Sequence, residues 1–287
     1  MPTKIEKDSL TGTDTTGHEW DGLKELNTPL PKWWLWTFYA TIAFSAVWMV
    51  VYPSFPGWRG TSGWIAREAV MAEVEAANAR NAPMMERLRQ ATPAAIAADP
   101  ELRAFAVAGG RVAFANNCAG CHGAGGQGAP GGFPSLVDDD WLWGGSLEAI
   151  QHTIRHGIRA GESDEQRQSQ MPRFGADGLL TPAQVNDVAE HVLSLTGRAT
   201  DEAAARRGGE IYAEQCASCH GERGEGNRDV GAPRLSDQVW LYGGSKAQIV
   251  AMINNPRAGV MPAWQGRLDP AVINMLAVFV HSLGGGE

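Results

Sequence analysis

Cysteine is scarce in this chain: four among 287 residues, with none outside two pentapeptides. No stretch reads as a phosphate-binding loop, a nucleophile triad or a pair of carboxylates in catalytic context, so those enzyme classes find no support. Positive charge is also short. Lys and Arg number 24 against 32 Asp and Glu, a net charge of −8, which argues against a nucleic-acid partner and suits a docking face for a basic protein. A merely solvated acidic surface has the same composition. Only one apolar run is long enough to cross a bilayer. Nor is apolar content low: at 44% hydrophobic and 20% charged, the chain reads as folded rather than disordered.

The two pentapeptides are Cys118-Ala119-Gly120-Cys121-His122 and Cys216-Ala217-Ser218-Cys219-His220. C-x-x-C-H is the attachment signature of c-type haem. Two thiols three residues apart lie on one side of a helical turn, where they can add to the two vinyl groups of one porphyrin while the adjacent His faces the iron. A zinc half-site, a thiol redox pair, a disulfide or one zinc-ribbon site shared by both pairs are the alternatives. None of them needs a His directly after each pair. Two covalently bound haem c groups, attached through Cys118, Cys121, Cys216 and Cys219, are therefore expected.

Along the chain, residues 1–32 are polar and resemble no signal peptide; they read as a cytoplasmic tail with a short ordered element around His18–Gly22. Trp33–Tyr52 is twenty residues without a charge and spans about 30 Å at 1.5 Å per residue, the hydrocarbon thickness. Trp33, Trp34 and Trp36 at one end, with Trp48 and Tyr52 at the other, form an aromatic belt, and Pro53 ends the helix. Because haem c is attached outside the cytoplasm, the N-terminus is expected inside and the haem domains in the periplasm of a bacterial inner membrane. Residues 53–100 read as a helical spacer, with an exposed helix or two short ones over 66–82 broken near Pro83, and Thr92-Pro93 and Asp99-Pro100 as helix starts.

An internal repeat fills the remainder. Gly109-Gly110 precedes Cys118 as Gly208-Gly209 precedes Cys216, and Trp141-Leu142-Trp143-Gly144-Gly145-Ser146 returns as Trp240-Leu241-Tyr242-Gly243-Gly244-Ser245. Each copy then has a helix (147–156; 246–254), a Met-Pro loop at Met171 or Met261, and a capped helix from Pro182 or Pro270. The domains are expected at 101–198 and 199–287, with an exposed insertion at Glu162–Gln170 in the first. His122 and His220 are the expected proximal iron ligands. Met171 and Met261 are the expected distal ones, each serving the haem of its own repeat. His152 and His156 are rivals in the first copy only, and Met71, Met84 and Met85 read as packing. Trp141, Trp143, Trp240 and Tyr242 suit haem-pocket walls or the core equally well, and Arg155, Arg159, Arg173 and Arg257 are weak candidates for haem propionates.

Each repeat resembles the small class I cytochrome c fold. The predicted architecture is thus all-α: one transmembrane helix, a helical spacer and two tandem class I domains. Glu19-Trp20-Asp21-Gly22, Asn27-Thr28-Pro29-Leu30-Pro31 and Trp33-Trp34-Leu35-Trp36, together with the Trp-Leu-Trp/Tyr-Gly-Gly-Ser repeats, resemble subunit III of cbb3-type cytochrome c oxidases over essentially the whole chain. That resemblance implies a non-catalytic electron-transfer subunit. It would take electrons from a donor cytochrome c and pass them to a monohaem subunit and on to the haem-copper subunit that reduces oxygen and pumps protons. A free-standing dihaem shuttle and a dihaem peroxidase are the other readings.

Overall fold

A computed structural model describes residues 4–287, which form two compact units divided between Arg80 and Asn81. In the first, strands β1 (Thr15–Trp20) and β2 (Leu23–Leu26) pair antiparallel. Asp21 and Gly22 turn between them with φ of 49° and 85°, the positive pair that a two-residue Asp-Gly hairpin loop requires. This hairpin is the ordered element expected near residue 20, and a small sheet in an otherwise helical chain. Helix α1 (Lys32–Val51) buries none of its residues, and its large apolar side chains are exposed all round. The hydroxyls of Thr37, Thr41 and Ser45 donate back to the carbonyls of Trp33, Phe38 and Thr41, so those polar groups are satisfied without water, as a hydrocarbon setting demands.

Helix α2 (Ala66–Gln90) runs unbroken through Pro83, where a break was expected; a proline there gives up one backbone N–H donor without ending the helix. Met71 is exposed, whereas Met84 and Met85 pack against the core as predicted. Thr92 and Asp99 cap α3 (Pro93–Ala98) and α4 (Pro100–Asn117), with Pro at the first position of each.

The second unit is built round two main cores. The first joins Phe114 of α4, Ile150 and Ile154 of α6 (Leu147–His156), and Ile273, Leu276, Phe279 and Val280 of α11 (Pro270–His281). The second joins Val185, Val188 and Val192 of α7 (Pro182–Ser194), Tyr212 of α8 (Glu202–Gln215), and Ile249 and Ile253 of α10 (Lys246–Asn254). The C-terminal helices are therefore traded. α7 of the first repeat packs along α8 of the second, and α11 of the second packs along α4 of the first. Glycine marks both crossings. A Cβ on Gly110 would stand 2.4 Å from the Met275 carbonyl oxygen, and one on Gly208 1.9 Å from that of Asp187. Each glycine lies eight positions before the first cysteine of its motif.

The connection between α7 and α8 explains the trade. Only residues 195–201 separate the two helices, and short connections favour antiparallel neighbours. Glu190 of α7 holds that connection shut: its buried carboxylate accepts from Thr200 N at 2.7 Å, Thr200 Oγ1 at 2.6 Å and Asp201 N at 3.2 Å. It also pairs with Lys246 Nζ at 2.7 Å. The Lys246 ammonium and the Thr200 hydroxyl hold its pKa down from 4.5 to about 2. A depressed carboxyl pKa stabilises the fold above the ordinary value, and that contribution is lost as pH falls from 4.5 through about 2. Glu190→Gln should cost roughly 1–3 kcal/mol at neutral pH, the usual price of a buried hydrogen-bonding mismatch. It should also flatten the stability–pH curve across that acid window; an unchanged curve in chemical denaturation would show that Glu190 does not hold the connection.

Candidate haem sites

Both motifs form the same short structure. Cys118 N bonds Phe114 O at 2.8 Å, ending α4, and α5 (Ala119–His122) continues as a single turn in which Cys121 N and His122 N both reach Cys118 O. Gly123, at φ 79°, turns the chain away, and Gly128 N returns to His122 O at 2.7 Å. In the second copy Cys216 N bonds Tyr212 O at 2.8 Å, α9 (Ala217–His220) follows, Gly221 takes φ 81°, and Gly226 N bonds His220 O at 2.8 Å. A side chain would be strained at either glycine.

The histidines are fixed from behind. His122 Nδ1 lies 3.1 Å from the Pro134 carbonyl oxygen and His220 Nδ1 3.0 Å from that of Pro233. A carbonyl can only accept, so Nδ1 carries the proton and Nε2 keeps its lone pair for a metal. Burial lowers both histidine pKa values, partly opposed by these bonds, which keeps the rings neutral. Burial, and then the neighbouring thiol, push Cys118 and Cys216 up to about 11. None of the four cysteines is in a disulfide. Cys118 belongs to the first core and Cys216 to the second, so the two pairs do not converge on one ribbon-type zinc ion.

A cavity of about 240 Å³ opens beside the second motif, walled by Cys216, Cys219, His220, Tyr212, Val188 and Ile249. Met171 lines it too. Met261 instead packs against the first core, with Cys118 and Trp141. The Met that follows each motif in sequence therefore does not stay with it: Met171 sits with His220, and Met261 shares its core with Cys118. The packing thus differs from the expected grouping within each repeat. Its physical cause is the helix trade, because each Met loop travels with the C-terminal helix that follows it. Two antiparallel bonds, Ile158 N to Met261 O at 2.9 Å and Met261 N to Ile158 O at 3.0 Å, fasten the second Met loop to the first repeat.

The cavity fits a porphyrin chemically. Its lining includes many aliphatic and aromatic side chains together with two thiols, an imidazole and the Met171 thioether. Trp240, also in the wall, has a buried Nε1–H with no partner, a donor that a carboxylate within the cavity would satisfy. Arg159, Arg234 and Arg257 line the same cavity; Arg159 is held by Gly259 O at 2.8 Å and Arg257 stacks over Tyr242 at 4.9 Å. Arg173 instead pairs with Asp177, and the Arg155 carbonyl accepts from Gln265 N. Trp143 is buried beneath Arg167 and against Gly231, while Trp141 Nε1 donates to Gly285 O. His152 and His156 turn their rings to residues 163–165, and His281 bonds Glu287 O. The unpaired Trp240 indole and the carbonyls behind the histidines had no individual sequence signal beyond the repeated tryptophan and the X-Pro pairs at 133–134 and 232–233.

Comparison with known proteins decides the family. Residues 12–59 match the N-terminal domain of cytochrome oxidase-cbb3, FixP; residues 106–196 match cytochrome c; residues 203–280 match cytochrome c oxidase, cbb3-type, subunit III. A cbb3-type cytochrome c oxidase subunit FixP from Azorhizobium caulinodans is 51% identical over 285 residues, 98% of this chain and 96% of its own. One from a Bradyrhizobium is 50% identical over 292 residues, all of both chains. A subunit CcoP from Cereibacter sphaeroides is 46% identical over 291 residues, again all of both. The chain belongs to the cbb3-type oxidase subunit III family. Like that family, this subunit III has two cytochrome c domains, carries two c-type haems and serves electron transfer. Its one candidate membrane span among the described residues is α1.

Proposed function

We propose that this subunit III receives electrons from a donor cytochrome c and relays them through its two haems to the other subunits of a cbb3-type oxidase, a monohaem cytochrome c subunit and then the haem-copper subunit that reduces oxygen. Bound at the two motifs, c-type haem supplies a one-electron iron couple. Cys118 and Cys121 hold one group by thioether bonds, and Cys216 and Cys219 the other. His122 and His220 offer Nε2 on the proximal sides. Met171 completes the site of His220, and Met261 that of His122. A haem iron held by a histidine Nε2 and a methionine thioether would have no place left for oxygen, which fits relay rather than reduction and disfavours the peroxidase reading. The domains 101–198 and 199–287 lie outside the cytoplasm and residues 1–32 inside, with α1 crossing between.

The observation that carries the proposal is the pairing of a fixed His Nε2 with a thioether around a cavity holding both thiols of the second motif. Gentle solubilisation and purification through a tag on this chain should bring down copper and b-type haem in fixed ratio to haem c. Purified material with haem c alone would instead favour the free-standing shuttle.

A further inference from the structure

We propose that His152, His156 and Glu165 form a binding site for one divalent transition-metal ion of the zinc and copper class, which fastens the insertion 162–170 to helix α6. The two histidines stand four residues apart near the end of α6, so both rings leave the same face. Their ring centroids are 4.7 Å apart. One ligand atom from each histidine and a carboxylate oxygen of Glu165 lie within 4.8 Å of one another.

His156 is the anchor. Its ring is buried, its Nδ1 is 2.9 Å from Ser163 Oγ, and its Nε2 is 3.5 Å from Glu165 Oε2. Ser163 Oγ also accepts from Glu165 N at 3.2 Å. An imidazole held at one nitrogen by an outer partner while the other faces a carboxylate is the arrangement of a metal-binding histidine. His152 is set by Nε2 bonding the Glu165 carbonyl oxygen at 2.9 Å. Tetrahedral zinc with bonds of about 2.0–2.1 Å needs its ligand atoms ~3.3 Å apart. The Glu165 side chain, 71% exposed, is free to swing inward by the remaining distance, and water can fill the fourth position.

Two imidazoles and one carboxylate select the zinc and copper class over calcium, which prefers cages made wholly of oxygen. Arg167, the cation that acts on His152, has its guanidinium carbon 5.4 Å from the Trp143 ring centroid. The insertion is already tied at its other points. Glu162 pairs with Arg267 at 2.7 Å and accepts from Ala263 N, and Arg167 N bonds Gly157 O. At 163–165 a metal ion would add to the hydrogen bonds that already join Ser163 and Glu165 to α6. That stretch belongs to the strap leading directly into Met171.

The test uses the full haem-loaded chain in detergent, oxidised and free of any histidine tag. Zinc chloride titrated by calorimetry should show one site per chain. His152→Ala and Glu165→Gln should each weaken it by at least about tenfold while leaving the haem spectrum unchanged, and both variants keep the buried His156. Copper(II) should bind the same residues more tightly than zinc, and calcium should give no heat. Absence of a zinc site, affinity unchanged in both variants, or calcium binding as well as zinc would each overturn the proposal.

Discussion

Replacing Met171 by Ala removes one of the two thioether-to-iron absorptions at the red end of the spectrum, and the haem that loses it is the one attached at Cys216 and Cys219. Met171 lies in the second repeat's cavity, so its loss opens the position opposite His220 and lowers the reduction potential there, since a thioether ligand raises it. Trp240 lines that cavity, whereas Trp141 packs against the core of Cys118 and Met261. Proton NMR should therefore show the Trp240 indole shifting in the variant while Trp141 stays in place. A shift at Trp141 alone would restore pairing within each repeat.

A chain ended after residue 198 should fail to fold as a haem protein, although it contains one complete C-x-x-C-H, its Met-Pro loop and its own last helix. The first core would lose Ile273, Leu276, Phe279 and Val280, all buried on α11. At roughly 1.5–3 kcal/mol for each large apolar side chain, that removes on the order of 6–12 kcal/mol, comparable with the roughly 5–15 kcal/mol that stabilises an ordinary domain. It would also expose the α7 face that packs on α8. Limited proteolysis and near-ultraviolet circular dichroism of the truncated chain should show no stable fold. A protease-resistant, low-spin fragment would mean that each repeat closes on itself.

What could be read from residues alone was whatever depends on near neighbours in the chain. The thiols and histidine of each motif, the Thr92 and Asp99 caps, those at Thr181 before Pro182 and Asp269 before Pro270, and the helices 147–156 and 246–254 all follow from spacing within a few positions. The membrane-length run at 33–52 appears as α1 with its bounds shifted by one residue. Pro83 misled because a proline inside a long helix bends it without always ending it. The helix trade left no mark in the pattern. α7 and α11 both start at a proline and both carry buried apolar residues, and nothing in their spacing says which motif helix each covers. Seven connecting residues and one buried glutamate decide between them. The packing role of Gly110 and Gly208 was hidden for the same reason, since a close backbone crossing names no partner in sequence.

The trade also sets an order on biosynthesis. Ribosomes deliver the amino end first, so the enzyme that attaches haem meets Cys118 and Cys121 when the helix that will cover them, some 150 residues downstream, has yet to be made. α4 must wait for α11 across nearly the whole remaining chain, a closure of very high contact order. The second core, complete once Ile253 has been made, can close before the first, which needs α11. The compartment of the first motif made is thus the last to be covered, so the thiols exported first stay open longest.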